Sequence, residues 1–382
     1  MKVPIFVLAL VMTATPAYAQ LGGLGKTIRK ANDAKDKADK VRDLVITEAD
    51  ERKIGEQVSD RVRVEFGVFQ DKAVTRYVTL VGTTLAKAST RPDLKWEFIV
   101  LDTDGVNAFA SPGGLVHITR GALGLIKSEA ELAGVLGHEI AHITKKHTVN
   151  AIKKNKTFEL GADVAPGSSV FLEGLANAVY DNIVEKGFDR GDEEDADAVG
   201  VRLAGGLSYS PAGLGTFLTK LADRNKDEKS ERNALFASHP ETQGRIDKLN
   251  RQIKSEKLDG TATVQARYAS AITFDVTPLT EITAVAAGTR GVADGGGGKT
   301  DDKAAKGEKD EKAGEKPKKG FGLNPLKLSS GKQAESTQAS ASAGNRAVGK
   351  DRAAGGGPNP SKVTIPALTP AELDAFKKGI AG

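Results

Sequence analysis

His138-Glu139-Ile140-Ala141-His142 decides the reading of this chain. On a helix, residues four apart share a face, so His138 and His142 aim two imidazoles at one point. Two neutral imidazoles at about 2.0–2.1 Å make half of a zinc shell. Glu139, on the flank of that face, reaches a water in the open position of such a metal. Ser128 with Glu131 three residues on is a capping box, and it starts the helix that carries the motif.

Outward from that helix, hydrophobic spacing sketches a mainly helical domain. Residues 46–66 read as a helix, with Thr47 and Asp50 as start signals and Ile54, Val58 and Val62 four apart. Residues 71–88 carry Val74, Tyr77, Val78, Val81 and Leu85 on one stripe, and Arg91-Pro92 ends that run. Residues 96–101 and 115–119 read as strands, separated by a turn-rich stretch ending in Pro112-Gly113-Gly114. Beyond the motif, a loop-rich segment (161–169) precedes helices near 170–184, 192–203, 211–221 and 240–253. A final strand is expected over 264–276. The fold class is therefore α+β: a mainly helical domain with a small sheet, over residues 46–283.

The flanks read differently. Met1-Lys2, an apolar run over 3–12 and Ala17-Tyr18-Ala19 make residues 1–19 a secretory signal peptide cleaved after Ala19. The expected location is the periplasm. No cysteine occurs in the chain, which excludes a lipid-anchored cysteine and any disulfide. No transmembrane span is expected: the most apolar later stretch, 161–180, is interrupted by Asp163 and Glu173. Residues 20–45 are a charged lead-in. Residues 284–361 hold too little apolar surface to fold and read as a disordered, low-complexity tail. Within 362–382, Thr369-Pro370-Ala371-Glu372 marks a short helix. The net charge of +5 and pI near 9.0 come largely from the flanks. That balance argues against nucleic acid and leaves a weak attraction of the basic tail to anionic envelope surfaces.

A catalytic zinc site takes three protein ligands, here necessarily His, Asp or Glu. A metzincin would place Gly at position 145 and His at 148. Lys145 and an early His147 exclude that class. The acidic stretch Asp192-Glu193-Glu194-Asp195-Ala196-Asp197 offers the alternative. Glu193 and Asp197 share a helix face, so Glu193 can bind the metal while Asp197 accepts the free ring N–H of a ligand histidine. On spacing alone Glu194 and Asp192 remain open, as does a merely solvated helix start.

Four motifs then occur in one order. They are Asn107-Ala108-Phe109-Ala110-x-Pro112-Gly113-Gly114, His138-Glu139-x-x-His142 with His147, Arg190-x-x-Glu193-x-x-Ala196-Asp197, and Ser238-His239-Pro240-x-x-x-x-Arg245. Together they resemble the gluzincin family of type I CAAX prenyl proteases, HtpX-like and BepA-like proteases (metallopeptidase family forty-eight), over roughly residues 46–254. The resemblance implies a zincin-type metallopeptidase domain over residues 46–283, with zinc ligands at His138, His142 and Glu193, Glu139 as general base and Asp197 behind a ligand. The transmembrane helices of the CAAX and HtpX branches and the helical-repeat domain of the BepA branch have no counterpart here. Substrate class is therefore not transferable.

His239 sits in a loop before a Pro-started helix. It is a candidate catalytic donor to the oxyanion, or a residue that fills the open zinc position. Arg245 steadies that loop or the oxyanion, or forms a surface salt bridge. Asn107, Ala108, Phe109, Pro112, Gly113 and Gly114, with the strand after them, are expected at the cleft edge, binding an extended peptide through its backbone. His147 is read as a supporting or structural residue and His117 as a strand-surface one. The functional expectation is an exported endopeptidase with one Zn2+ per chain, acting on unfolded or misassembled envelope polypeptides in quality control. The alternative is a zinc-containing periplasmic chaperone or outer-membrane assembly factor that rarely cleaves.

Overall fold

The computed structural model describes residues 45–154, 167–181, 187–225, 239, 242–278 and 361–381. The expected signal peptide, nearly all of the lead-in and tail, and Ser238 and Pro240 lie outside the described residues.

Helix α1 (Glu48–Phe66) begins at Thr47, whose side chain accepts from the Asp50 amide while Asp50 accepts from the Thr47 amide. This reciprocal cap satisfies two donors that a helix start leaves free. Ile54, Val58, Val62 and Phe66 form its buried stripe. Helix α2 (Lys72–Lys87) starts on the Asp71 side chain, which accepts from the Ala73 and Val74 amides, and it buries the predicted stripe. Strands β1 (Glu97–Leu101), β2 (Ala108–Ser111) and β3 (Leu115–Thr119) form one sheet in the order β1-β3-β2. β3 runs parallel to β1 and antiparallel to β2.

Two sequence expectations are corrected here. The stretch before Pro112 contains β2, so Pro112-Gly113-Gly114 is a tight hairpin that pairs Ser111 with Leu115. Gly113 and Gly114 have φ of 75° and 98°, which glycine adopts without steric cost. Consequently 115–119 is the central strand and β2 is one of the two outer strands. β2 is nevertheless buried throughout, because Ala108 and Ala110 pack in one core and Phe109 in another.

Helix α3 (Arg120–Leu125) leads into α4 (Glu129–Thr144), which carries the motif and is capped by Ser128 accepting from the Glu131 amide. Every residue of α4 from Glu129 to Ile143 is buried. This helix is the hub, and five of the described helices come next. They are α5 (His147–Lys154), α6 (Ser169–Tyr180), α7 (Arg190–Gly206), α8 (Gly213–Asn225) and α9 (Thr242–Glu256). The axes of α4 and α7 approach closely enough that an atom added to Gly200 as a Cβ would stand 2.7 Å from the His138 amide nitrogen.

The strand expected over 264–276 is replaced by a bridge between Tyr209 and Ala262 and a short helix, α10 (Gln265–Ala271). Its interior, Gln-Ala-Arg-Tyr-Ala, contains good helix formers, and the β-type residues Val264, Phe274 and Val276 flank it against the core. Helix α11 (Pro370–Ala381) is capped by Thr369 with Glu372 and packs back on α2. Ile380 is buried in the main core, Arg76 pairs with Glu372, and the Arg267 guanidinium lies 4.1 Å over the Phe376 ring. Among the described residues, no helix is long and apolar enough to cross a membrane.

Candidate metal centre

The α4–α7 crossing brings the first-motif face of α4 against the acidic start of α7. Gly137 and Gly200 face one another there, with no side chain between the two backbones. The close approach carries Glu193, two turns earlier on α7, onto His138 and His142.

Four side chains converge: His138, His142, Glu193 and His239, each with a ligand atom within 4.8 Å of the others. His138 Nε2 and His142 Nε2 are 3.1 Å apart, and His142 Nε2 is 3.4 Å from Glu193 Oε1. His239 Nδ1 lies 2.7 Å from Glu193 Oε1 and 3.3 Å from His138 Nε2. Donors 2.0–2.1 Å from one tetrahedral centre stand about 3.4 Å apart, so these spacings fit a shared zinc ion. Among the described residues, Glu139 Oε2 and His239 Nε2 are buried without a hydrogen-bond partner, a costly arrangement that fits a site built for a ligand.

A second layer holds the donors. His138 Nδ1 is 2.9 Å from Asp197 Oδ1, although off the line of a good hydrogen bond. The Arg245 guanidinium grips Asp197 with two donors, at 2.8 and 2.7 Å. Its third nitrogen stands 2.8 Å from Glu193 Oε2 and donates to the His239 carbonyl at 3.3 Å. Arg245 is thus buried, not on the surface, and ties three parts of the site together. Phe188 stacks on the His142 ring with centroids 3.9 Å apart.

Electrostatics follow from burial and these contacts. Burial pushes the Glu139 carboxyl up, against the pull of His239 and His138. Burial holds His142 well below its ordinary value, which keeps it a neutral donor. For Asp197, burial acts upward, but the hydrogen bonds from Arg245 and the nearness of His138 prevail and bring it to about 2. Glu193 is likewise pushed up by burial and held well below the carboxylate range by His239 and His138.

Among the acidic alternatives, the structure brings Glu193 inward. Glu194 instead pairs with Lys248, and Asp195 pairs with Lys145 at the surface. Of the expected cleft residues, Ala108 packs in the core that also holds Leu136 and Ile140 of α4, and Phe109 packs in the core on the other face of the sheet. Asn107 is buried, and both its side-chain polar atoms lack a hydrogen-bond partner among the described residues. Pro112, Gly113 and Gly114 are buried too; Gly113 abuts Arg52 on α1, and Gly114 lies against Lys95, so this turn is packed away rather than open to a peptide. His117 is also corrected: on the central strand it is fully buried, hydrogen-bonded to Ser59 Oγ at 2.9 Å and stacked on Phe109. Sequence reasoning missed Phe188, and it missed the Gly137–Gly200 contact, whose signal is the glycine directly before the first motif histidine.

The family model for peptidase family M48 matches residues 72–253. The chain is similar to the beta-barrel assembly-enhancing protease of Yersinia pestis, at 25% identity over 56% of this chain and 46% of that protein. It is also similar to the mitochondrial metalloendopeptidase OMA1 of Schizosaccharomyces pombe, at 29% identity over 48% and 56% respectively. For the metalloprotease LoiP of Escherichia coli the identity is 25% over 40% and 61%. The chain spans about half the length of the relatives it matches.

Proposed function

Residues 72–253 belong to peptidase family M48, and from that premise we propose that this chain is a zinc-dependent endopeptidase of the periplasm. The observation that carries the reading is the convergence of His138, His142 and Glu193 beside Glu139 on a buried helix crossing. Those three side chains would hold the metal. Zinc bound there supplies Lewis acidity, which makes water nucleophilic near neutral pH and polarises a peptide carbonyl.

The remaining steps belong to the chain's own groups. Glu139 is the general base; its raised pKa brings it nearer the operating pH, where proton transfer is most effective. It accepts the proton of the attacking water and returns it to the leaving amine. Asp197, fixed by Arg245, holds the outer edge of His138 and so its orientation. His239, 3.8 Å from Glu139, is the donor to the developing oxyanion.

The leader at residues 1–19 supports export, and a relative named for beta-barrel assembly supports envelope polypeptides as substrates in quality control. The basic tail adds a weak contact to anionic envelope surfaces. A second reading has its own observation: His239 Nδ1 lies among the donors and can fill the fourth position, leaving an assembly factor or chaperone that seldom cleaves.

Glu139→Gln tests the protease reading. The variant should retain stoichiometric zinc and lose cleavage of an unfolded polypeptide by about 10²–10⁴-fold. Undiminished cleavage refutes the role of Glu139. Lost cleavage with full function in the cell favours the assembly-factor reading.

A further inference from the structure

We infer that His147 is a positioning residue of the metal site, fixing the tautomer in which His142 presents Nε2 to the ion. The inference rests on reading the His138–His142–Glu193 cluster as a metal centre. His142 is fully buried, and its two ring nitrogens face different groups. Nε2 looks into the donor cluster, toward His138 and Glu193. Nδ1 lies 3.0 Å from Nδ1 of His147.

Proton counting settles the direction of that bond. A neutral imidazole carries one N–H. If Nε2 of His142 gives its lone pair to a metal, the proton must sit on Nδ1, which then donates to Nδ1 of His147. That leaves the His147 proton on Nε2, which lies 3.3 Å from Asp195 Oδ2 and 3.9 Å from Asp192 Oδ1. Every donor in this line has an acceptor. With the opposite tautomer of His147, two N–H groups would confront each other at 3.0 Å and His142 would have to surrender Nε2.

The backbone is built to make this contact. Five residues along a continuous helix is a rotation of about 140°, which would turn His147 away from His142. Instead α4 ends at Thr144, Lys146 adopts φ 58°, and α5 begins afresh at His147. Left-handed backbone is unusual for lysine. Here Lys146 is anchored by an ion pair to the buried Glu51 at 2.6 Å. The two imidazole ligands thus have different supports: a carboxylate clamped by arginine behind His138, and a second imidazole behind His142. Because a carboxylate makes its histidine more electron-rich than an imidazole does, the two ligands are chemically unequal.

The test is the apparent zinc dissociation constant by chelator competition, measured on the full chain with His147→Phe, His147→Asn and His142→Ala. Phenylalanine keeps the ring volume without an acceptor, whereas the asparagine amide oxygen falls near the lost Nδ1. His147→Phe should weaken zinc by about 10–100-fold, and His147→Asn should stay within about threefold of wild type. Wild-type affinity in His147→Phe, or equal weakening in both variants, overturns the inference. Wild-type affinity in His142→Ala overturns the underlying metal site instead.

Discussion

The α4–α7 contact makes Gly200→Ala a sharp perturbation, because the substitution adds one methyl group and no charge. That methyl would stand 2.7 Å from the His138 amide nitrogen, 2.9 Å from the Gly137 carbonyl carbon and 3.1 Å from His138 Cα. Ordinary contacts begin near 3.5 Å, so the two backbones must separate locally by roughly 0.8 Å. Both neighbours are helical backbone, which cannot swing aside as a side chain can. Overpacking of this kind costs about 1–3 kcal/mol. The displacement reaches Glu193, seven residues back on nearly the same face and roughly 10 Å along the axis. Metal–ligand distances tolerate only about 0.2 Å, so a shift several times larger removes the carboxylate from its place. Zinc affinity, read by chelator competition, should fall at least about tenfold, with a lowered melting temperature. Gly206→Ala on the same helix is the control, since none of the described residues lies within 4 Å of its added carbon. Wild-type zinc affinity in Gly200→Ala would refute the claim that this crossing sets the position of the third ligand.

Two further outcomes follow. Glu193→Ala should lose its zinc by mass spectrometry while Glu194→Ala keeps it, because Glu194 is engaged by Lys248 outside the cluster. The reverse pattern would move the third ligand by one residue. Burial first, and Arg63 second, drives the His117 pKa from 6.5 to about 3, so its contribution to stability is complete above pH 6.5 and is lost as pH falls toward 3. At pH 5 the penalty is about 2 kcal/mol, so urea unfolding of wild type and of His117→Asn should converge by that amount between pH 7.5 and pH 5, and a constant difference would contradict the burial argument.

Much of this arrangement was legible in the chain because local rules governed it. The Thr47 and Ser128 caps, the stripe on α2 and the four-residue spacing of His138 and His142 act within one element, and the structure keeps them all. The choice of Glu193 over Glu194 was not legible from spacing, since it depends on which face of α7 meets α4. That face is chosen by Gly200, whose partner lies far away in the sequence. β2 was hidden for a related reason: Asn107 to Ser111 is short and turn-like in composition, and only pairing with β3 makes it a strand. The segment 264–276 misled in the opposite sense. Its β-branched and aromatic residues are there to pack on the core, while Arg267 and Tyr268 between them bind Glu129 and the Leu123 carbonyl from a helical turn. His117 is buried because this sheet is covered on both faces, so a position on its central strand has no side that meets water.

The return of the C-terminal segment to α2 bears on how the tail can be studied. Val363, Ile365, Phe376 and Ile380 pack on the helical core and sheet, and Arg63, Gln70, Arg76 and Arg267 hold the segment's backbone carbonyls. Arg267 also pairs with Glu129 in the first turn of the helix that carries His138 and His142. A truncation at residue 284 therefore strips a packed element as well as the low-complexity stretch, and any loss of activity or location would have two causes. Excising 285–356 while leaving 361–381 attached separates them, and the same fusion point sets where an affinity tag can be joined without prising the last helix away.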